Sequence, residues 1–294
     1  MNRRLVERPR WLRGATAVFS LPLSNQVLMH LPDPQSFIAL AVEHDFVPVY
    51  RRLLSDALTP VTAFQLLDDG GPACLFESVI GGEKVGRYSF LAASPVRRFA
   101  ATRERIEIID LPEGPVTRRE SPDPLDDFRS NFHYRVAAID GLPPFVGGAI
   151  GYAGYDVVRY VEDLPDAPQD DRGLPDLDFA FYHTLCVFDH VAKTITVVTL
   201  ADCREVRDSD DAAKAYRKAA QTIDANVKKL SAATPGNPAE WNPDVWKEQI
   251  AEHPLTVTSN FTRESFEAAV RKCAEYIRAG DVFQVVPSQR MSVK

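Results

Sequence analysis

The sequence lacks the features that mark metal centres, secreted proteins and membrane proteins. Its four cysteines, Cys74, Cys186, Cys203 and Cys273, are far apart and form no C-x-x-C pair, which argues against a zinc site and against a disulfide framework. No uninterrupted apolar run approaches the roughly 18 residues that a membrane-spanning helix needs. We therefore expect a soluble, cytoplasmic protein whose cysteines are reduced.

Basic residues are also fewer than acidic residues. The chain has 34 Lys and Arg against 41 Asp and Glu, a formal net charge of -7, which argues against a nucleic-acid surface. Its 294 residues are 45% hydrophobic and 26% charged, as is typical of globular proteins. We expect a small-molecule or protein partner and no contact with nucleic acid or membrane.

Motifs that carry catalysis are missing as well. The six histidines never cluster at the spacing of metal ligands or of a Ser-His-Asp triad. Residues 81–86 have phosphate-loop glycine spacing, but Arg87 and Tyr88 stand where Lys and Ser or Thr are needed. The glycines of 147–154 lack the dinucleotide spacing and predict close backbone packing in a sheet. The sequence therefore identifies no catalytic residue and no metal ligand.

Strand and helix patterns alternate without βαβ regularity. This order predicts an α+β fold, a largely antiparallel β-sheet sandwich flanked by helices. We expect strands at residues 47–50, 74–79, 88–92, 105–109, 179–189, 194–200 and 282–286, with a hairpin turn at 190–193. We expect helices at residues 36–41, 60–67, 123–132, 210–230 and 262–279, the last closed by Gly280. Asp156 and Arg159 are expected to form a local ion pair.

Two segments predict the limits of domains. Residues 1–30 are basic and are interpreted as a poorly structured extension, either a transit segment or, preferably, an upstream-extended start. Residues 231–243, rich in Ala, Pro, Gly and Asn, are interpreted as a linker between residues 31–230 and 244–294.

One segment has the chemistry of a binding site. After the predicted strand at 74–79, Glu77 and Ser78 stand side by side, and a glycine-rich turn returns Arg87, Tyr88 and Ser89 on an adjacent strand. A carboxylate beside a hydroxyl suits the charged groups of a free amino acid, because buried charges must be paired. The structural alternative is a Glu77–Arg87 ion pair across the hairpin.

Four strings together resemble anthranilate synthase component I. They are PVYRRLLSDALTPVTAFQLL (48–67), FESVIGGEKVGRYSFLA (76–92), VGGAIGYAGYDVVRYVEDLP (146–165) and FTRESFEAAVRKCAEYIRAGDVFQVVPSQR (261–290). Their order and spacing are similar to the first half of that family, over nearly all of the chain after about residue 30. We therefore expect the chain to be a fragment with a complete regulatory region and a truncated chorismate-binding region at 244–294.

The resemblance implies a chorismate-using lyase. The large subunit of that family binds chorismate and Mg2+, and a glutamine amidotransferase partner, in a heterotetramer, delivers ammonia. The products are anthranilate and pyruvate, on the route to tryptophan. The resemblance implies that the Mg2+ ligands and catalytic groups lie beyond Lys294, so that residues 1–294 alone are inactive.

The resemblance also implies a tryptophan feedback site. Its E-S motif matches Glu77 and Ser78, and its returning strand matches Arg87, Tyr88 and Ser89. Phe76 departs from the Leu of many relatives, which would reshape the indole wall without removing the polar anchors. Aminodeoxychorismate synthase component I and a non-enzymatic amino-acid-binding regulatory module remain open alternatives.

Overall fold

A computed structural model describes most of the chain in two compact units. It covers residues 30–55, 58–77, 86–131, 133–167, 169–232 and 256–293. One unit contains the described residues up to 232 and the other those from 256 onward. The N-terminal extension and nearly all of the linker lie outside the described residues, so the domain boundaries stay predictions. No helix in the described part of the chain has the length and apolar character needed to cross a membrane.

The first unit is built mainly from two antiparallel five-stranded sheets. Its elements in chain order are α1 (Pro34–Ala41), β1 (Phe46–Leu54), α2 (Pro60–Leu67), β2 (Cys74–Phe76), β3 (Tyr88–Ala92), β4 (Arg97–Thr102), β5 (Arg105–Asp110), β6 (Val116–Glu120), α3 (Pro124–Ser130), β7 (Gly148–Ala153), a 3₁₀ helix (Tyr155–Tyr160), β8 (Leu177–Tyr182), β9 (Thr184–Asp189), β10 (Thr194–Asp202) and α4 (Ser209–Ser231). The first sheet has the order β1-β10-β9-β3-β2, and the second has the order β6-β5-β4-β8-β7.

The helices begin where the sequence supplies capping side chains. The Thr59 side chain accepts a hydrogen bond from the Thr62 amide at 3.1 Å, and Pro60 occupies the first turn, where its missing N–H costs nothing. The Asp208 carboxylate likewise accepts from the Asp211 amide at 2.8 Å. Caps of this kind satisfy amides that have no partner within the helix. They fix the start of α2 at Pro60, as predicted, and the start of α4 at Ser209, one residue before the predicted start.

The layers stack as helix, sheet, sheet and helix. Helices α1, α2 and α4 cover one face of the first sheet, where Phe37, Ala63, Val197 and Ile223 are fully buried. The opposite face packs against the second sheet through a shared apolar cluster; its members include Tyr50, Val198, Leu185, Ala180 and Ile150. The outer face of the second sheet packs on Phe128 of α3 through Phe99 and Phe181. The predicted α+β sandwich flanked by helices is confirmed.

The predicted strand at 179–189 is wrong as one element. It is two strands separated by His183, with β8 in the second sheet and β9 in the first. Apolar patterning continues through the break because both strands are buried, so the pattern carries no sign of the change of sheet. The hairpin between β9 and β10 is confirmed.

Three strands of the second sheet are not predicted by the patterns of apolar and polar residues. Strand β6 is exposed along its whole length and has no apolar alternation, β7 is rich in glycine, and β4 begins with two arginines. In β7, a Cβ atom added at Gly151 would lie 2.0 Å from the Asp178 carbonyl oxygen of β8. Gly151 therefore serves the close backbone packing that the sequence predicts for this segment.

The second unit contains helix α5 (Arg263–Ala279) and a short antiparallel pair, β11 (Val257–Ser259) with β12 (Met291–Val293). Thr262 caps α5, and Gly280 ends it in the left-handed conformation with φ of 82°. The predicted strand at 282–286 is wrong. A strand requires a ladder partner, and among the described residues β11 pairs with 291–293 instead.

Candidate functional site

The predicted site residues lie at the β2–β3 edge of the first sheet. Cys74 and Phe76 of β2 pair with Ala92 and Phe90 of β3. Glu77 follows β2 directly and is exposed to solvent. Ser78 lies outside the described residues, so the geometry of the Glu77–Ser78 pair stays a prediction. Tyr88 and Ser89 begin β3 and Arg87 directly precedes it, on the strand adjacent to β2 that the sequence predicts.

Arg87 bonds to a residue that the sequence does not single out. Its guanidinium donates three hydrogen bonds to the Asp189 carboxylate at the end of β9, two from Nε at 3.2 Å and one from Nη2 at 2.7 Å. The proposed Glu77–Arg87 pairing is therefore wrong. Tyr88 lies opposite Asp189 in the β3–β9 ladder, and this register brings the neighbouring guanidinium to the carboxylate.

The Asp189 carboxylate also organises the turn that follows it. It accepts hydrogen bonds from the Val191 and Ala192 amides at 3.0 and 2.9 Å. Burial acts to raise the pKa of Asp189, but the bonds from Arg87 and these two amides outweigh it, so the pKa lies below its ordinary value of 3.8. Asp189 is therefore held as a carboxylate between β3 and the β9–β10 turn.

Ser89 is fixed by the next residue of the same turn. Ser89 is only 1% exposed. Its Oγ forms a hydrogen bond with His190 Nε2 at 2.7 Å. The His190 amide donates to the Arg87 carbonyl at 2.8 Å. A buried hydroxyl without a partner would be costly, and His190 supplies that partner.

The Tyr88 ring contacts a cation and another aromatic ring. The Arg87 guanidinium carbon is 4.9 Å from the centre of the Tyr88 ring, and the Phe90 ring centre is 5.9 Å away. Tyr88 is half-buried. Contacts of this kind fix the plane of an aromatic ring, so Tyr88 presents a defined aromatic surface at the edge of the sheet.

Sequence reasoning missed Asp189 and His190, which it assigned only to strand and turn. Each lies about a hundred positions from its partner, Arg87 or Ser89. Only the pairing register of β3 with β9 joins them, and no local pattern encodes that register. The edge of the sheet thus combines one exposed carboxylate, a fixed tyrosine and an arginine already held by an aspartate.

A separate cleft of about 1220 Å³ lies between α4 and the first sheet. Its lining includes Cys186, His183, Lys218 and Arg207 but none of the predicted site residues. Burial raises the pKa of the Cys186 thiol to about 12, and burial lowers the pKa of His183. Neither group is therefore prepared as a thiolate nucleophile or as a cation near neutral pH.

No set of metal ligands is brought together in the described residues. There, no group of three or more His, Cys, Asp or Glu side chains is placed to hold a metal ion. These residues do not fit the Mg2+ that the resemblance implies. All four cysteines are free thiols, as predicted. Asp156 and Arg159 form the predicted ion pair, with Nε 2.9 Å from Oδ1.

Comparisons with known proteins agree on one family. The chain is 36% identical over 271 residues to anthranilate synthase component 1 of Streptomyces coelicolor, which covers 89% of this chain and 46% of that protein. It is 36% identical over 261 residues to the chloroplastic anthranilate synthase alpha subunit 1 of Arabidopsis thaliana, covering 84% and 43%. The chain thus spans about half the length of the curated relatives it matches.

A solved structure gives the same result. Anthranilate synthase component I from Streptococcus pneumoniae TIGR4 superposes with a TM-score of 0.53 at 27% identity, over 82% of this chain and 48% of that one. The resemblance drawn from the four strings is confirmed. Since the sequence profile described as chorismate binding enzyme matches residues 74–294, the chain belongs to the family of chorismate-binding enzymes.

Proposed function

We propose that the chain is the N-terminal part of an anthranilate synthase large subunit. The relatives named above support this reading, since each carries that name and the chain aligns with about half of each. In the proposed reaction, ammonia adds to the chorismate ring and the ring hydroxyl leaves as water. Loss of the enolpyruvyl side chain as pyruvate then gives anthranilate.

The proposed ammonia source is a glutamine amidotransferase subunit, in a heterotetramer with the large subunit. The word component in the relatives' names supports a second component. When bound in such enzymes, Mg2+ would supply electrostatic stabilisation to a substrate carboxylate. The described residues form no site for this ion. The catalytic groups are proposed to lie in the part of the relatives that this chain does not cover.

The proposed role of the first unit is to bind L-tryptophan as a feedback inhibitor. The observation that carries this proposal is that Glu77 directly follows β2, whose partner strand β3 begins with the Tyr88 that Arg87 and Phe90 contact. The Glu77 carboxylate suits an ammonium group, and the Tyr88 ring, held by Arg87 and Phe90, offers an aromatic surface to an indole. Inhibition would require tryptophan to bind one of two conformations of the enzyme more tightly than the other.

The test uses a protein of the relatives' full length. We expect anthranilate fluorescence with chorismate, Mg2+ and ammonia, and a progressive loss of rate with added L-tryptophan. Ser78→Ala should raise the tryptophan concentration for half-inhibition by about tenfold, since one hydrogen bond to a charged ligand would be lost. Each variant's tryptophan-free rate is its own reference.

Ser130→Ala is the matched control. The Ser130 hydroxyl bonds within α3, to the Asp126 carbonyl at 2.9 Å, and its loss should leave inhibition unchanged. Equal inhibition curves for wild type and Ser78→Ala would refute the placement of the site. Appreciable anthranilate from residues 1–294 alone would refute the placement of the catalytic groups.

The two alternatives predict different products. Aminodeoxychorismate synthase component I would release aminodeoxychorismate and retain the enolpyruvyl group, so no pyruvate would form. A non-enzymatic regulatory module would bind tryptophan in a full-length protein that leaves chorismate intact. Both alternatives are weakened by the anthranilate synthase names of the relatives. A cytoplasmic location stays a prediction, and the Arabidopsis relative is chloroplastic by name.

A further inference from the structure

Two consecutive residues, Asp189 at the end of β9 and His190 in the turn that follows, hold Arg87 and Ser89 on either side of Tyr88. Asp189 binds the Arg87 guanidinium, and His190 binds the Ser89 hydroxyl and the Arg87 carbonyl. Tyr88 lies between these two anchored residues, and the Arg87 guanidinium sits over its ring. The position of β3 at this edge is thus specified by side chains that come from about a hundred residues later in the chain.

These contacts change the roles open to Arg87 and Ser89. Asp189, with a side chain only 13% exposed, already pairs the Arg87 charge in a bidentate arrangement. The Ser89 hydroxyl is buried and bonded to His190. A bidentate ion pair and a buried hydrogen bond resist exchange for a ligand, because each broken bond leaves a desolvated group behind. Arg87 and Ser89 therefore serve as the frame of the edge, and ligand contact falls to Glu77 and Tyr88.

We propose that Asp189 and His190 are positioning residues of the amino-acid site, acting through Arg87 and Ser89. This inference rests on the proposed tryptophan site and assigns its affinity partly to the end of β9 and the first residue of the turn that follows it. Loss of either residue would free β3 to shift or Tyr88 to reorient, and misplacement of a binding surface weakens binding without removing any direct ligand contact.

The second sheet supplies a matched control pair. Asp178 of β8 accepts two hydrogen bonds from the Arg98 guanidinium of β4, at 2.8 and 2.6 Å. This pair has the same chemistry as Arg87–Asp189 and also joins two neighbouring strands, and it contacts none of the predicted site residues. Asp178→Asn therefore reports the effect of losing a bidentate ion pair that does not hold β3.

The experiment measures tryptophan inhibition and melting temperature together in the full-length enzyme. We expect His190→Ala and Asp189→Asn each to raise the half-inhibiting L-tryptophan concentration by about tenfold, the change that one lost hydrogen bond produces. His190→Gln should recover most of the wild-type value, since its carboxamide can reach Ser89. Asp178→Asn should lower the melting temperature without moving the inhibition curve.

A double-mutant cycle tests whether His190 acts through Ser89. We expect Ser89→Ala with His190→Ala to weaken inhibition no more than either single change, because both remove the same hydrogen bond. If the effects of the two single changes add in the double variant, His190 does not act through Ser89. If His190→Ala does not fold, His190→Gln and Asp189→Asn carry the test.

The outcomes separate the two proposals. If wild type is inhibited and Ser78→Ala relieves inhibition, while the Asp189 and His190 variants behave like Asp178→Asn, the positioning role is overturned and the tryptophan site stands. If L-tryptophan does not inhibit the wild-type enzyme at all, the tryptophan site is wrong and the positioning role falls with it.

Discussion

The two sheets share the same antiparallel pairing but differ in how they are covered. In the first sheet, β9 and β10 are buried over nearly their whole length, between the helices on one side and the second sheet on the other. In the second sheet, β6 is exposed at every residue and β7 is exposed over its second half. The candidate site lies on the better-covered sheet, where a rigid scaffold can hold a binding edge in place.

The difference has a physical origin in the side chains that each sheet uses. The first sheet is held by apolar residues on both faces, as in Val197 and Val198 of β10. The second sheet relies on the close approach of β7 to β8 and on an aromatic cluster around Phe128. Its stability should therefore depend strongly on those contacts and hardly at all on its outer strand.

The largest effect is expected at the β7–β8 contact. Gly151→Ala would place a methyl group 2.0 Å from the Asp178 carbonyl oxygen, which forces the two backbones apart. We expect a loss of more than about 4 kcal/mol in the free energy of unfolding, measured by denaturant titration. Gly154→Ala is the control, because its added Cβ meets the nearest atom at 3.4 Å. Equal stability of the two variants would contradict the dependence of this sheet on close backbone packing.

The aromatic cluster should come next. Phe99 is fully buried against Phe128, with ring centres 5.3 Å apart. We expect Phe99→Ala to lower the free energy of unfolding by about 3–5 kcal/mol, from lost burial and the cavity left behind. Val197→Ala, in the other sheet, removes less volume and should cost about 2 kcal/mol. If Val197→Ala lowered the free energy of unfolding more than Phe99→Ala in the same denaturant titration, this prediction would be wrong.

A smaller, pH-dependent effect is expected at Asp189. Its pKa is lowered in the folded state, so the stabilisation that it gives is fully present above the ordinary value of 3.8 and is lost as the pH falls through the folded pKa. Asp189→Asn should therefore lower stability at neutral pH and flatten the acid limb of the stability profile. Melting temperatures of both proteins between pH 7 and pH 2 check this. Parallel profiles would show that the carboxylate is not held as described.

The smallest effect is expected on β6. Arg118 pairs with Glu107 of β5 at 2.5 Å, but its side chain is 73% exposed. Solvent screens such pairs, so Arg118→Ala should change the free energy of unfolding by less than about 0.5 kcal/mol. A loss as large as that of Phe99→Ala would mean that the outer strand is essential to the second sheet.

The difference between the buried strands of the first sheet and the exposed or glycine-rich strands of the second explains which parts of the fold can be predicted from the sequence. The helix caps at Thr59 and Thr262, and the strands with alternating or continuous apolar residues, carry local signals that the structure confirms. Strand β6 carries none, and the glycines of β7 predict only close packing in a sheet, because an exposed strand and a glycine-rich strand are stabilised by their neighbours rather than by their own residues. The break at His183 is hidden because apolar residues continue on both sides of it.

For the site, local signals predict the candidates but not their partners. The pattern from Cys74 to Leu91 predicts that Arg87, Tyr88 and Ser89 return beside Glu77. It also favours pairing Arg87 with Glu77, its neighbour across the turn. Asp189 takes that place because β9 inserts beside β3, and long-range pairing of this kind depends on the whole fold.

His183, the one residue between β8 and β9, has a mechanical consequence. Because a single residue joins the two strands, β8 and β9 can move relative to each other by only a short distance. One residue of extended chain spans roughly 3.3 Å, so sliding of the second sheet by more than a fraction of that length must pull on β9. A displacement of the second sheet would therefore be transmitted through His183 to β9, the strand that ends in Asp189.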